Sequence, residues 1–358
     1  MKIAIVTFAH RRNDKTGDCL QAVKTAQALQ NAGHTVAHNY VDEKGTVSDA
    51  KGERVGVWNS FYKDYDIIHA IPPIPSKFIE RFSALDVPLV ASSIFWRSFR
   101  YNLVLARNQG MSLRLFVDLL RDLLAMFGVR TFFSYKGYDL ILPNSSDEVR
   151  NFSRYCLTKK GATVISVPNA IDPIPAWVDK LQRPNFVPAD EYIVCPGIFA
   201  PRKNQRLLME AFRDTPYGIV FMGGGGDAYK RYASSNMLFT GHIPHGSEAF
   251  YQTLKFARVA CLPSNCETPG IALLEAAALG ARPVVSFEGG TSQYYGWDAE
   301  YFDPLSVESL RLAVVSAWER GRLSVKECSN YRELTWDKTA IFTANAYRQC
   351  KAIYEKNK

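Results

Sequence analysis

Short apolar runs alternate with segments of helical period from one end of the chain to the other, and glycine, proline or polar clusters mark each change. Lys2–Phe8 is an apolar run of strand length, the kind buried on both faces of a sheet. The polar loop His10–Asp18 carries Gly17, and Cys19–Ala32 then takes up a helical period that stops at Gly33. His34–His38, Asp66–His69, Pro88–Ala91, Asp139–Leu142 and Val164–Val167 continue the strand series. From Asp172 to Asp190 the periodicity fades and Pro173, Pro175, Pro184 and Pro188 accumulate, which predicts a linker. The alternation restarts with a strand at Tyr192–Cys195, a helix at Asn204–Arg213 and a strand at Gly218–Met222 that runs into Gly223–Gly226. Strands at Arg258–Leu262 and Pro283–Ser286 flank a helix at Ile271–Leu279, and Trp336–Glu355 is helical. The pattern predicts an α/β protein of two Rossmann-like domains, residues 1–172 and 191–335, joined by a linker at 173–190.

Open parallel sheets bind ligands outside the carboxyl ends of their strands, so the loops there, facing a cleft between two such sheets, are the expected seat of chemistry. The richest of them is Ser264–Ala272. Pro269 and Gly270 break the strand and let the backbone come close to a ligand. A helix opening at Ile271 presents N–H groups without internal partners, which suit an anion such as a diphosphate. The helix dipole adds only about 0.3–1 kcal/mol, so a cation is expected beside it. Arg202 and Lys203, at the end of the loop Gly197–Asn204, oppose the dipole of the helix they precede unless an anion sits there. Glu267 and Glu275 border the same place; they repel phosphate, and hydroxyl groups are their expected partners, at about 1.5–3 kcal/mol per charged hydrogen bond. A third loop, Glu288–Gln293, carries Gly289 and Gly290. His10 and His69 each end a strand and are candidates for deprotonating an acceptor, against the plainer reading of each as a structural histidine.

With 358 residues, 47% apolar and 22% charged, the chain has the make-up of a two-domain globular protein. Its net charge of +8 favours anionic partners, but no nucleic-acid motif accompanies it. The first apolar run is too short for a signal peptide and no run reaches the roughly 18 residues of a membrane span, so a cytoplasmic location is expected. The seven cysteines are scattered and never spaced as C-x-x-C, which argues against a zinc site or a disulfide framework. Asp64-Tyr65-Asp66 resembles a metal-binding D-x-D but lies just before a strand, and no metal is expected. No G-x-G-x-x-G follows the first strand, against a dehydrogenase, and no export signal supports a periplasmic binding protein.

Glu267 and Glu275 form an E-x7-E pair within SNCETPGIALLEAAALGARPVV. Pro201–Asn204, Gly241 and Tyr301-Phe302-Asp303-Pro304 accompany it, and Asp139–Ser145 and Pro168-Asn169-Ala170-Ile171-Asp172 match D-x-I-x-x-N-S and P-N-G-I-D strings. In these features the chain resembles the retaining family 4 glycosyltransferases (glycosyl transferases group 1) over nearly the whole second half. The resemblance implies a GT-B fold, with two Rossmann-like domains facing each other across a cleft and the helix 336–358 crossing back to the first. It implies that Lys203 contacts the donor diphosphate and offsets charge on the leaving nucleotide. Glu267 is expected to bind hydroxyls of the transferred sugar and Glu275 the donor ribose. The backbone of Gly270, Ile271 and Ala272 is expected to cradle the phosphates, with Thr268 and Pro269 in the same loop, and Gly197 and Gly17 to approach the donor. Ile198 stands where the family has arginine, and Arg202 is the candidate to supply that charge. Ser92 and Ser93 stand where a first-domain histidine is usual, and Gln293 where many members have glutamate.

The implied substrates are a UDP- or GDP-sugar and an acceptor hydroxyl on a saccharide or lipid-linked saccharide, in the setting of cell-envelope polysaccharide assembly, with no cofactor. A nucleotide-sugar epimerase of similar fold is the alternative. Phe95–Lys136 carries seven basic residues, Arg97, Arg100, Arg107, Arg114, Arg121, Arg130 and Lys136, among interleaved apolar ones. One reading is a basic amphipathic helix, within 97–136, on the anionic inner face of the plasma membrane; the other is a core helix with solvated arginines.

Overall fold

The computed structural model describes residues 1–11, 17–74, 78–79, 82, 85–127, 133–187 and 190–357. Two compact units emerge: Met1–Trp96 with Gly128–Ala170 and Leu334–Lys358, and Arg97–Phe127 with Ile171–Glu333. Pro188, Arg130 and most of the loop after the first strand (residues 12–16) lie outside the described residues.

The first unit is built on strands β1 (Lys2–Phe8), β2 (Thr35–Val41), β3 (Thr46–Ser48), β4 (Arg54–Val57), β5 (Ile67–Ala70), β6 (Leu89–Ala91), β8 (Leu140–Ile141) and β10 (Thr163–Val164), with β7 (Phe133–Tyr135) and β9 (Cys156–Thr158) as a separate pair. The sheet order is β10-β8-β6-β5-β1-β2-β3-β4. β1 pairs in parallel with both β2 and β5, so the chain switches direction of growth there. Six of the seven β1 residues are buried, as an uninterrupted apolar run requires of a central strand. The hairpin of β3 and β4 was not expected: Thr46–Val57 is mostly polar, and its pairing is antiparallel at the sheet edge.

The C-terminal helix Trp336–Lys356 belongs to this unit, as the family resemblance implied. Three contacts fix it: the Thr339 hydroxyl donates to the Pro168 carbonyl at 2.9 Å, the Tyr347 hydroxyl meets His69 Nδ1 at 2.6 Å, and Lys351 pairs with Asp66 at 2.5 Å. Asp66 also accepts the Lys2 N–H at 2.8 Å, so the aspartate of the D-x-D string serves to join strand and helix. Asn144 and Asn169, from the two first-half motif strings, close a buried amide chain with Gln21: Gln21 Nε2 donates to Asn144 Oδ1 at 3.1 Å and Asn169 Nδ2 to Gln21 Oε1 at 3.3 Å.

The second unit holds β11 (Tyr192–Pro196), β12 (Gly218–Met222), β13 (Met237–Gly241), β14 (Val259–Leu262), β15 (Arg282–Ser286) and β16 (Glu300–Phe302), all parallel, in the order β13-β12-β11-β14-β15-β16. β11 neighbours both β12 and β14, which makes the ends of β11 and β14 the switch point of this sheet. Residues 97–127, expected within the first domain, belong here. Arg100 pairs with Asp303, Arg107 Nη1 donates to the Leu305 carbonyl at 3.1 Å, and Asn108 Nδ2 donates to Asn204 Oδ1 at 2.8 Å. Among the described residues no helix is long and apolar enough to cross a membrane.

Candidate functional site

The loops after β11 and β14 leave the sheet on either side of its switch point, and backbone bonds tie them together. The Asn265 N–H donates to the Arg202 carbonyl at 2.9 Å. The third glycine loop joins from β15: the Gly290 N–H donates to the Glu267 carbonyl at 3.0 Å. Gly289 must be glycine there, because a Cβ would stand 2.1 Å from the Glu267 carbonyl oxygen and φ is +118°. Gly197, at φ +124°, packs so closely on the next loop that a Cβ on Gly223 would lie 2.0 Å from the Gly197 oxygen. The three segments singled out in the sequence are therefore one backbone assembly.

Lys203 and Glu267 meet within it, Nζ to Oε1, at 2.6 Å, both largely shielded from water. Burial pushes the Glu267 carboxyl up, but Lys203 and Arg202 pull it further the other way, and it ends below its ordinary range. Glu267 is thus held as a carboxylate against Lys203, at the mouth of the helix Ile271–Ala278. Gly270 caps that helix at φ +86°, and a Cβ on it would press Leu262 at 2.8 Å. The first helical bonds are those of Leu273 and Leu274 to the Gly270 carbonyl, so the N–H groups of Ile271 and Ala272 come before the helix ladder begins. Thr268, Gly270, Ile271 and Ala272 are partly exposed, and Pro269 is buried. Tyr295, wholly inside, donates from its hydroxyl to the Pro269 carbonyl at 3.1 Å and holds the loop from beneath.

Glu275, 2% exposed, is no solvated helix residue. Its Oε1 meets His245 Nε2 at 2.6 Å. His245 follows β13 in the stretch Gly241-His242-Ile243-Pro244-His245, where sequence reading singled out Gly241 alone. Tyr101 was also missed. It lies on the helix Phe99–Gln109, within electrostatic reach of Cys266, Arg202 and Glu267, and burial pushes its hydroxyl up to about 12.

The remaining expected residues divide. Arg202 is exposed beside the assembly. Ile198, in the place of the family arginine, is 41% exposed, and its carbonyl accepts from Gln205 Nε2 at 2.8 Å. His10 and Gly17 belong to the other unit. His10 is exposed, in the short turn Ala9–Arg11, and Gly17 opens the helix Gly17–Asn31, where a Cβ would meet nothing within 4 Å. His69 is buried with Nδ1 against Tyr347 and Nε2 against Ser92 at 3.0 Å, and burial lowers it to about 3. Both its nitrogens are used, so the sequence-based candidacy of His69 as a base is withdrawn. Among the described residues no group of three or more His, Cys, Asp or Glu side chains is arranged to hold a metal ion.

The assembly can bring a shielded lysine, two acidic side chains and helix N–H groups to bear on one polyanionic, hydroxyl-rich ligand. Residues 179–320 match the family model described as glycosyl transferases group 1. Sucrose-phosphate synthase from Thermosynechococcus elongatus superposes with a TM-score of 0.68 at 16% identity, over 98% of this chain and 100% of that one. The lipopolysaccharide outer core galactosyltransferase WaaB, in its apo form, gives 0.64 at 12% identity over 98% and 99%. Anabaena HepE in complex with UDP and glucose gives 0.55 at 15% over 99% and 98%. No curated protein matches the chain significantly.

Proposed function

We propose that this protein is a retaining, family 4 glycosyltransferase using a UDP- or GDP-sugar; the match of residues 179–320 to the glycosyl transferases group 1 model and the two α/β units of its GT-B fold support that reading. What carries the reading is the Lys203–Glu267 pair of 2.6 Å at the opening of the helix Ile271–Ala278. The donor's diphosphate lies against the Ile271 and Ala272 N–H groups, with Lys203, and Arg202 beside it, supplying positive charge. Glu267 accepts from hydroxyls of the transferred sugar, and Glu275 from the ribose.

The bond from anomeric carbon to diphosphate oxygen breaks, the electron pair leaves with the phosphate, and the sugar becomes oxocarbenium-like. The acceptor oxygen attacks from the same face and passes its proton to a diphosphate oxygen, with no protein nucleophile and no metal. Lys203 and the helix N–H groups act on charge that grows in the transition state, where fixed donors have most effect. The acceptor is a saccharide, lipid-linked in an envelope pathway. The naming of a structural neighbour as a lipopolysaccharide galactosyltransferase supports that setting.

The test is transfer from UDP- and GDP-sugars to saccharide acceptors, with the anomeric configuration of the product read by NMR. Lys203→Gln is expected to lower turnover about 10²–10³-fold, and Lys203→Arg, which keeps the charge, to lose less. Undiminished turnover in a folded Lys203→Gln protein overturns the role of the lysine. Sugar isomerisation with donor alone and no acceptor would instead establish the epimerase reading.

A further inference from the structure

The helix Phe99–Gln109 packs on the loops at the carboxyl ends of β11, β14, β15 and β16, four adjacent strands of the second sheet. That end of an open parallel sheet is where its ligands bind. After β11, Asn108 Nδ2 donates to the Pro201 carbonyl at 3.1 Å and to Asn204 Oδ1 at 2.8 Å. After β14, Asn265 Nδ2 donates to the Tyr101 carbonyl at 3.4 Å. After β15, the Phe287 ring lies under the Arg100 guanidinium at 5.4 Å, and after β16 Asp303 pairs with the same arginine. The basic residues of this helix, Arg100 and Arg107, are thus spent on fastening it to its own unit.

Tyr101 and Asn108 are two helical turns apart, so they share one face. Asn108 grips the loop that carries Lys203. The Tyr101 backbone is held by Asn265, two residues before Glu267, and the Asn265 N–H also holds the Arg202 carbonyl. Tyr101 therefore stands at the edge of the Lys203–Glu267 assembly, within electrostatic reach of Glu267 and Arg202. Its ring is half-buried, yet among the described residues its hydroxyl has no hydrogen-bond partner and is not sealed inside. A shielded hydroxyl left unpaired in a folded protein calls for an explanation. Burial pushes this phenol up to about 12, so at neutral pH it keeps its proton and can donate it.

We propose that Tyr101 is a specificity-determining residue: its hydroxyl donates to a ring hydroxyl of the transferred sugar, and that sugar hydroxyl donates in turn to Glu267. The inference rests on the donor reading above, in which Glu267 accepts from the transferred sugar. A carboxylate can only accept, whereas a hydroxyl carries one proton and two lone pairs. The sugar hydroxyl gives its proton to the charged acceptor, and its lone pairs are left for a neutral donor, which Tyr101 supplies. A sugar without an oxygen at that position leaves both protein groups unpaired, and a site built to bond a substrate hydroxyl rejects the analogue that lacks it. An epimer at the same carbon carries the oxygen away from both. Tyr101 thus selects among sugars on one nucleotide and leaves recognition of the nucleotide to the loops.

The test is calorimetric binding of UDP, GDP, UDP-glucose, UDP-galactose, UDP-N-acetylglucosamine and GDP-mannose to the full chain and to Tyr101→Phe, which removes one oxygen and keeps the ring. Melting temperature and affinity for bare UDP or GDP should not change, which shows that the variant is folded with its nucleotide site intact. Affinity for the nucleotide sugar should fall about tenfold, the effect of one hydrogen bond. The preferred donor is then compared with analogues that lack one sugar hydroxyl each. At a single position the wild-type chain should lose affinity while Tyr101→Phe loses little more, because both changes break the same bond; at the other positions the two losses should add. A Tyr101→Phe protein that binds the nucleotide sugar as tightly as the wild type overturns the role of Tyr101 alone, and so do losses that add at every position. A wild-type chain that binds none of the six ligands overturns the donor reading itself, and this inference with it.

Discussion

Two glutamates with seven residues between them have different partners, and their partners divide their work. Glu267 is set against a lysine and is kept charged by it. Glu275 is set against His245, whose ring fixes the direction of the carboxylate from the loop after β13. If Glu275 accepts from the donor ribose, His245 acts through it as a positioning residue. An interaction made equally in ground and transition states changes KM and leaves kcat alone. His245→Ala should therefore raise the donor KM about tenfold, the worth of one charge-assisted bond at the low end, with kcat nearly unchanged. His245→Gln, which can still donate, should recover part of it. Glu275→Ala should raise KM further, and adding His245→Ala to it should change little more, since the two share one bond. Additive effects on donor KM, or a loss confined to kcat, would remove His245 from this role.

At the scale of elements, the helices Phe99–Gln109 and Leu113–Met126 are joined by charge buried inside. Asp122 is fully buried and accepts from Arg97 Nε at 2.5 Å and from Asn102 Nδ2 at 2.5 Å. Removing one partner of such a pair strands the other, so Asp122→Ala should cost about 3–5 kcal/mol in denaturant unfolding. A loss below about 1 kcal/mol would mean that Arg97 readily regains water. This pair also explains where sequence reading stopped. Strands β1 and β12 were legible residue for residue, because an apolar run flanked by polar turns has one way to be buried. The loop 264–272 was legible because proline and glycine there obey strict backbone rules. The assignment of 97–127 to the second unit was not, since it rests on contacts such as Arg100 with Asp303, some 200 residues away in sequence. Asn144 and Asn169 stood out as motif residues, yet their amides are spent on Gln21 in the interior. His245 carried no local signal at all; only the fold brings it to Glu275.

For the whole molecule, the two units respond to different chemical variables. In the first, Glu148 is fully buried, with the Ser93 hydroxyl at 2.7 Å and the Phe95 and Asn144 N–H groups at 2.5 and 2.9 Å. Burial raises its carboxyl to about 7, against the pull of those three bonds. Between the ordinary carboxylate value and about 7 the folded chain then holds a proton that the unfolded chain has released. Its contribution is complete below that window and is lost as pH rises through it, while His69 and His38, lowered by burial to about 3 and about 4, act in the opposite sense up to about pH 6.5; the Glu148 effect is therefore read as wild-type stability relative to Glu148→Gln, which should fall from about pH 5 to about pH 8. The candidate donor loops lie wholly in the second unit, where a nucleotide diphosphate at ~100 times its dissociation constant should add about 2.7 kcal/mol. Glu148 contacts none of those loops through its own bonds, so the wild-type pH slope should keep its sign and size with UDP or GDP present, and Glu148→Gln should keep the nucleotide shift. Calorimetry of both proteins at about pH 5 and about pH 8, with and without nucleotide, checks the four conditions together. A difference between wild type and Glu148→Gln that stays constant over this range would show that Glu148 is ionised in the folded chain and that its three donors outweigh its burial.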